Sequence, residues 1–363
     1  MKINNKQQLR SESLGLLAWR KLRRHPAGMI GIVLIGILVF VSIFAPMLAP
    51  FDPKLQILEY SVKSSMFQGN VLYTKNPANP SQPSVVAIES FTQSGDSVHY
   101  IDLSGRNNSV HLSKLWGKNQ SEWYDKPIYY LGTDNFGRDV LSRLIYGARI
   151  SLMVGVVSQV IALIIGIFLG ALAGYFRGWV DNVVLWFINV VWSFPTILLA
   201  ILFSSVLKST HDVFGFELNA FWQTFIAIGI SSWVDIARIV RGQFFSLREM
   251  EYVEATRALG FGSFRTIFRH ILPNAFGPII VLATAGIATS IIAEAGLSFL
   301  GLGIQKPEPS WGILIFDGYG YIAAGTNWGL TLYPSIAMAA AVYGFNLLGD
   351  GLRDALDPKS IQR

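Results

Sequence analysis

The sequence predicts an all-α polytopic membrane protein with six transmembrane helices and a small, partly β-rich extracytoplasmic insertion between helices 1 and 2. Three observations carry that reading. Of 363 residues, 52% are hydrophobic and 14% charged, where a soluble domain carries about 25% charged residues. Nearly uncharged windows run Pro26–Phe51, Ile150–Phe176, Asn182–Leu207, Leu218–Val234, His270–Ala293 and Gly318–Gly349. A hydrocarbon core of about 30 Å takes about 20 apolar residues per helix, so five windows are long enough and the fourth is marginal. Finally, the basic residues of the short loops fall on one side: Lys2, Lys6, Arg10, Arg20, Lys21, Arg23 and Arg24 before the first window, Arg177 after the second, Arg238, Arg241, Arg248, Arg257, Arg265 and Arg269 after the fourth, and Arg353, Lys359 and Arg363 at the end. The alternate short loops hold only Lys208 and Lys306, so the positive-inside rule places both termini in the cytoplasm.

These signals divide the chain into a cytoplasmic tail (1–26), helix 1 (27–50), an insertion with an interfacial elbow (51–149), helices 2–6 (150–350) with a cytoplasmic loop at about 242–272, and a cytoplasmic tail (351–363). Helix 1 reads as a retained span rather than a signal peptide, because its apolar run is too long for an h-region and Ala45-Pro46-Met47 offers no A-x-A site. The fourth helix is expected to run on past Asp235 to about Arg241, with Arg238 and Arg241 snorkelling to the headgroups. The net charge of +6 thus reports topology rather than a nucleic-acid partner. With no cysteine, a disulfide framework, a thiol nucleophile and Cys-ligated metals are excluded.

In the insertion, Pro77, Pro80 and Pro83 interrupt any helix, and Val85–Thr92, Ser97–Leu103 and Val110–Leu115 read as short strands parted by turns at Ser94-Gly95-Asp96 and Gly105-Arg106-Asn107-Asn108. Asn107-Asn108-Ser109 fits a glycosylation pattern but reads as part of a turn. Beyond it, Val140, Leu141, Leu144 and Ile145 give an apolar helical face opposite Arg138, Asp139 and Arg143, which predicts an elbow helix lying on the outer membrane surface until Arg149. Within the spans, Pro195, Pro278 and Pro334 predict kinks. Gly155, Gly166, Gly170 and Gly174 predict close helix packing along helix 2. The polar candidates for a translocation path are Asn189, Glu294 and Asn346, with Gln223 as a further buried polar residue; Glu294 is expected at the outer end of its span, close to water.

The cytoplasmic loop carries the sharpest pattern. Arg248–Leu259 is a good helix former with Glu251 and Glu254 early and Arg257 late, matching the helix dipole, and Gly260 and Gly262 end it. Tyr252, Ala255 and Leu259 share one side that suits burial against a partner, while Glu251, Glu254, Arg248 and Arg257 stay wet. Ser263 is expected to cap a second short helix, and Pro273 suits a first helical turn.

The string Glu254-Ala255-Thr256, Gly260, then His270-Ile271-Leu272-Pro273 resembles the EAA loop of ABC importer permeases, with Thr256 in place of the second alanine and His270 in place of isoleucine. Further strings, Gly132-Thr133-Asp134, Gly137-Arg138-Asp139, Ser142-Arg143, Arg238-Ile239-Val240-Arg241-Gly242, Leu297-Ser298-Phe299-Leu300-Gly301 and Gly349-Asp350-Gly351-Leu352-Arg353-Asp354, are similar to the C-type permease of dipeptide, oligopeptide and nickel importers. The resemblance covers nearly all the chain except about 55–129. It implies the type I importer fold, a homologous permease as heterodimer partner, two cytoplasmic ABC ATPases, an extracytoplasmic substrate-binding protein, contact with membrane lipid and a peptide substrate, with nickel or another small solute as the alternative. It assigns ATPase coupling to Glu251, Tyr252, Glu254, Ala255, Thr256, Arg257, Leu259 and Gly260, and a bacterial or archaeal plasma membrane as the location.

Other classes find less support. No G-x-x-x-x-G-K-[ST] phosphate loop occurs, so ATP hydrolysis, and with it any cofactor, is assigned to partners. A membrane-embedded enzyme needs an inward cluster of nucleophile, base or metal ligands, yet His25, His99, His111, His211 and His270 lie outside the spans or at their ends. A channel or secondary transporter would show intramembrane charges or repeated spans.

Overall fold

The computed structural model describes residues 14–209 and 219–356. Lys2, Lys6, Arg10, His211, Leu218, Lys359 and Arg363, named in the sequence analysis, lie outside the described residues. The main helices are α1 (Leu14–Leu22), α2 (Pro26–Ile43), α3 (Val140–Phe176), α4 (Gly178–Trp192), α5 (Thr196–Lys208), α6 (Ala220–Ser231), α7 (Trp233–Leu247), α8 (Glu251–Ala258), α9 (Leu272–Phe299), α10 (Trp311–Ala323) and α11 (Gly329–Leu356). The chain forms two compact units, one of Met1–Phe40, Ile150–Gln305 and Ala337–Arg363, the other of Val41–Arg149 and Lys306–Ile336.

Among the described residues, four helical stretches are long and apolar enough to cross a membrane: α2, α3, Ser263–Phe299 and α11. Two further pairs pass only together, α4 with α5 bent by 92° and α6 with α7 bent by 41°, so the spans number four, or six if each pair is one. The sharper bend lies at Pro195, which is the N-cap of α5 and lacks the donor that would continue α4. The fourth predicted helix is not one helix: it breaks at Ser232 into α6 and α7, and α7 runs beyond Arg241 to Leu247 with Trp233, Ile236, Ala237, Val240 and Phe244 buried along it. The sixth window is not one helix. Gly325, at φ +67°, stops α10 with Gly325 N–H bonded to Ile322 O and Thr326 N–H to Tyr321 O, a left-handed cap, and α11 starts anew at Gly329.

In the first unit, one core joins Ala162, Ala171 and Tyr175 of α3, Ile188 of α4, Trp233–Phe244 of α7, Val253 of α8 and Ala275 and Ile279 of α9. The glycines of α3 make this closeness possible. A Cβ at Gly155 would strike Ile287 and Ile291, and at Gly166, Gly170 and Gly174 it would strike α7 at Ile236, Val240 and Phe244. The glycine stripe is a packing groove.

The second unit contains the insertion. Its strands are β1 (Phe67–Gln68), β2 (Val71–Lys75), β3 (Pro83–Ser94), β4 (Ser97–Asp102), β5 (Asn107–His111), β6 (Tyr124–Asp125) and β7 (Ile128–Tyr129). Five form an antiparallel sheet in the order β5-β4-β3-β2-β6, and β1 pairs with β7. Two small apolar clusters hold it: Ile57, Tyr60, Val71, Ala87 and Tyr129, and Leu72, Ile88, Val98, Leu115 and Trp123. Burial pushes the Tyr60 hydroxyl up to about 12 and raises that of Tyr129 as well. The expected turn at Asn107-Asn108-Ser109 is instead the start of β5, because Asp102 already closes the turn by accepting from Ser104 N–H at 2.9 Å and Arg106 N–H at 3.0 Å.

The predicted elbow is corrected in two respects. It is the first part of α3, which is continuous from Val140 to Phe176, and its charges are not wet: Arg138 is 1% exposed, Arg143 0% and Asp139 2%. The two arginines are buried against carboxylates. Asp134 takes Arg138 Nε at 2.7 Å and stands 3.3 Å from Arg143 Nε; Asp317 meets Arg138 Nη2 at 3.5 Å and Lys306 Nζ at 2.7 Å; Lys54 pairs with Glu308. Asp139 caps α3 by accepting from Ser142 N–H at 2.6 Å. Burial raises the Asp139 pKa, against the lowering by its bonds to Ser142.

Candidate coupling site

α8 is a two-turn helix with Glu251 and Glu254 in its first turn and Arg257 in its last, complementing its dipole. Its end is defined by Gly260. At φ +76° this residue sits where side chains are rarely tolerated, and Gly260 N–H bonds Arg257 O at 2.9 Å while Phe261 N–H bonds Thr256 O at 3.1 Å, the paired closure of a Schellman cap. Ser263 is not a cap: Gly262 precedes the short helix Ser263–Arg265, and no side chain bonds its first turn.

The face that attaches α8 differs from the one expected to meet a partner. Val253 is fully buried in the core shared by α3, α7 and α9, and Thr256 is 6% exposed with Oγ1 donating to Val253 O at 2.7 Å. Burying a valine is worth about 2 kcal/mol, so this one side chain roots the helix. Glu251, Tyr252, Glu254, Ala255, Arg257, Leu259 and Gly260 are exposed, Leu259 at 72%. Of the eight coupling residues read from sequence, seven therefore form one outward surface and Thr256 faces inward. Tyr252 is half held: its hydroxyl bonds Asn274, whose Nδ2 donates to His270 O at 2.7 Å, and burial raises its pKa.

From Thr266 to Ile271 the backbone forms a π-helical segment that continues into α9 without a break, with Pro273 in the first turn of α9. His270 stacks on Phe261 at 5.7 Å. Two apolar side chains that the sequence reading passed over extend the exposed surface: Phe264 is 75% and Phe268 44% exposed, with rings 4.5 Å apart. Their i, i+4 spacing after Gly262 was the available signal.

The path candidates separate. Asn189 on α4 and Asn346 on α11 are exposed, whereas Glu294 is completely buried and accepts from Ser298 Oγ at 2.6 Å. The expectation that water lies close to Glu294 is overturned by its complete burial within the chain; after it the Leu297–Gly303 turn is closed by Leu302 and Gly303 N–H on Leu297 O and tied by Ser204 Oγ to Leu302 O at 3.0 Å.

Fold and surface together define a helical, polytopic membrane subunit whose exposed helix is rooted in its membrane-spanning core. Residues 166–362 match the family described as binding-protein-dependent transport system inner membrane component, and residues 13–69 match the N-terminal TM domain of oligopeptide transport permease C. The chain is 42% identical over 247 residues to the dipeptide transport system permease protein DppC of Alkalihalophilus pseudofirmus, covering 68% of this chain and 75% of that one. It is 32% identical over 351 residues to the oligopeptide transport system permease protein OppC of Bacillus subtilis, covering 96% and 91%. Among solved structures it is similar to the inward-facing MetNI methionine ABC transporter, with TM-score 0.48 and 21% identity, covering 59% of this chain and 96% of that chain. The chain belongs to the binding-protein-dependent transport system inner membrane component family. It is a multi-pass inner-membrane permease subunit of an ABC importer, a non-catalytic component of systems whose ATPase lies in partner subunits.

Proposed function

We propose that this permease forms, with a homologous permease, the path for peptides, with six spans, both termini in the cytoplasm, and α8 as the lever moved by two cytoplasmic ABC ATPases. An extracytoplasmic binding protein delivers the cargo. The observation that carries the reading is the division of α8 into a rooted side, Val253 and Thr256, and an exposed side, Glu251, Tyr252, Glu254, Ala255, Arg257 and Leu259. A push on the exposed residues passes through Val253 into a packed core that includes α3, α7 and α9, and packed cores respond by moving as bodies rather than by deforming. Peptide is favoured over nickel or another small solute because the relatives above are named as dipeptide and oligopeptide transport permeases. Asn189 and Asn346 are the exposed polar candidates for the path, and Glu294, the third, is buried and accepts from Ser298 Oγ within α9.

The test is reconstitution with the candidate permease, ATPase and binding-protein partners in vesicles loaded with ATP. Uptake of labelled di- and oligopeptides should require ATP and vanish in Glu254→Arg, with membrane insertion unchanged. Uptake by the lone chain, or normal uptake by that variant, would overturn the lever reading.

A further inference from the structure

The arginines at the end of α3 and α7 are crowded beyond what their topology requires. Arg177 and Arg248 converge on the same Glu249 Oε1, at 2.7 and 3.9 Å. Arg248 donates to Tyr175 O at 2.5 Å, and the guanidinium groups of Arg248 and Arg257 lie 5.9 and 5.5 Å from the Tyr175 ring. Arg177 packs on Phe245 at 4.1 Å, and it does so from a left-handed backbone, φ +56°, that a non-glycine residue adopts only under strain. Two cations thus share one carboxylate, with a third, Arg257, over the same Tyr175 ring, while the nearby Arg241 is already spent on Asp181 through two bonds of 2.5 and 2.7 Å. The Nε atoms of Arg177 and Arg248 are buried without a hydrogen bond. Burial lowers the Arg248 pKa, and Arg177 and Arg257 lower it further, so the cluster repels itself.

The positive-inside rule explains why arginines stand here, but not why they are drawn together around a single glutamate. An anion with several oxygens, set against the partly exposed guanidinium edges of Arg177 and Arg248, offsets that repulsion. The setting selects the source. α3 is a candidate span ending at Phe176, and the large aromatic side chains beside the cluster are exposed, Phe176 at 48% and Trp179 at 76%, as suits side chains at headgroup depth. We propose that Arg177, Arg248 and Arg257 hold the phosphate of an anionic membrane lipid, clamping the base of the exposed helix α8 to the bilayer surface. The site does not depend on the transport reading, and it is tested on the full chain alone.

The chain is purified in detergent, stripped of lipid, and titrated with phosphatidylglycerol, phosphatidylcholine or inorganic phosphate, with native mass spectrometry counting bound molecules. Phosphatidylglycerol should bind saturably, phosphatidylcholine weakly, and Arg177→Gln with Arg248→Gln should weaken phosphatidylglycerol binding about thirtyfold. Arg238→Gln, whose guanidinium stacks on Trp192 at 3.6 Å, should change nothing. Glu249→Gln, which frees the shared cations, should tighten binding about fivefold; this gain separates loss of the site from loss of folding. Displacement of phosphatidylglycerol by inorganic phosphate would support the phosphate site but assign it to the free ion. Equal binding of both lipids, an unaffected double variant, or a double variant that loses only its hold on an ATPase partner would overturn the proposal.

Discussion

The coupling helix buries one apolar side chain, Val253, in a core made by other helices, whereas the insertion closes two apolar clusters and a charge network on itself. A helix of eight residues has no stability of its own in water, so α8 is helical because the core and its Schellman cap hold it. Its exposed residues carry little of the folding free energy. In the insertion the order is reversed: nearly every residue that the sequence makes conspicuous, from Asp134 to Arg143, is committed to folding. Substitutions on the exposed side of α8 are therefore expected to spare stability, and substitutions in the insertion to lower it.

The contrast is broken most severely at Gly260. Proline there requires φ near −65° where the chain has +76°, so Gly260→Pro should abolish ATP-driven uptake while the chain still inserts, checked by vesicle transport beside membrane fractionation. Next in size is Asp134→Asn, which leaves Arg138 and Arg143 buried with diminished compensation and should cost about 3–5 kcal/mol, seen as a lower unfolding temperature and faster proteolysis of the insertion. Val253→Ala should cost about 2 kcal/mol and show as faster hydrogen exchange confined to α8, a loss of anchorage rather than of surface. Leu259→Ala sharpens the comparison from the other side: stability should stay within about 0.5 kcal/mol while association with the ATPase partners weakens.

The smallest effect belongs to the β4–β5 turn. Its Asp102 carboxylate, held by Arg106 N–H and also by Ser104 N–H and the Arg106 side chain, is lowered from 3.8 to about 2. A depressed folded pKa means a contribution present above pH about 4 and lost as pH falls through about 2, readable as hydrogen exchange at Ser104 and Arg106 rising in that window. Exchange rates that ignore pH there would show that the turn does not depend on the ionised carboxylate.

The same contrast explains what could be read from the sequence. β3 and β4 were legible because turn residues bracket alternating runs, and β2 was not, since Val71–Lys75 is defined by pairing with both β3 and the distant β6. The helix and glycine stop of the coupling loop were legible from local chemistry, but its buried side was misjudged: Tyr252, Ala255 and Leu259 looked like the apolar face, and the core took Val253 and Thr256. Charge misled most at Arg138 and Arg143. Their nearest partner, Asp134, is close in sequence, but nothing local shows that the pairs are buried, and the further carboxylate on Arg138, Asp317, lies far along the chain on α10.

The insertion's two clusters and its buried ion pairs hold their fold in a chain without a single cysteine. Its maturation accordingly asks nothing of a thiol oxidant or a disulfide isomerase, and reductants such as dithiothreitol have no disulfide in it to cleave.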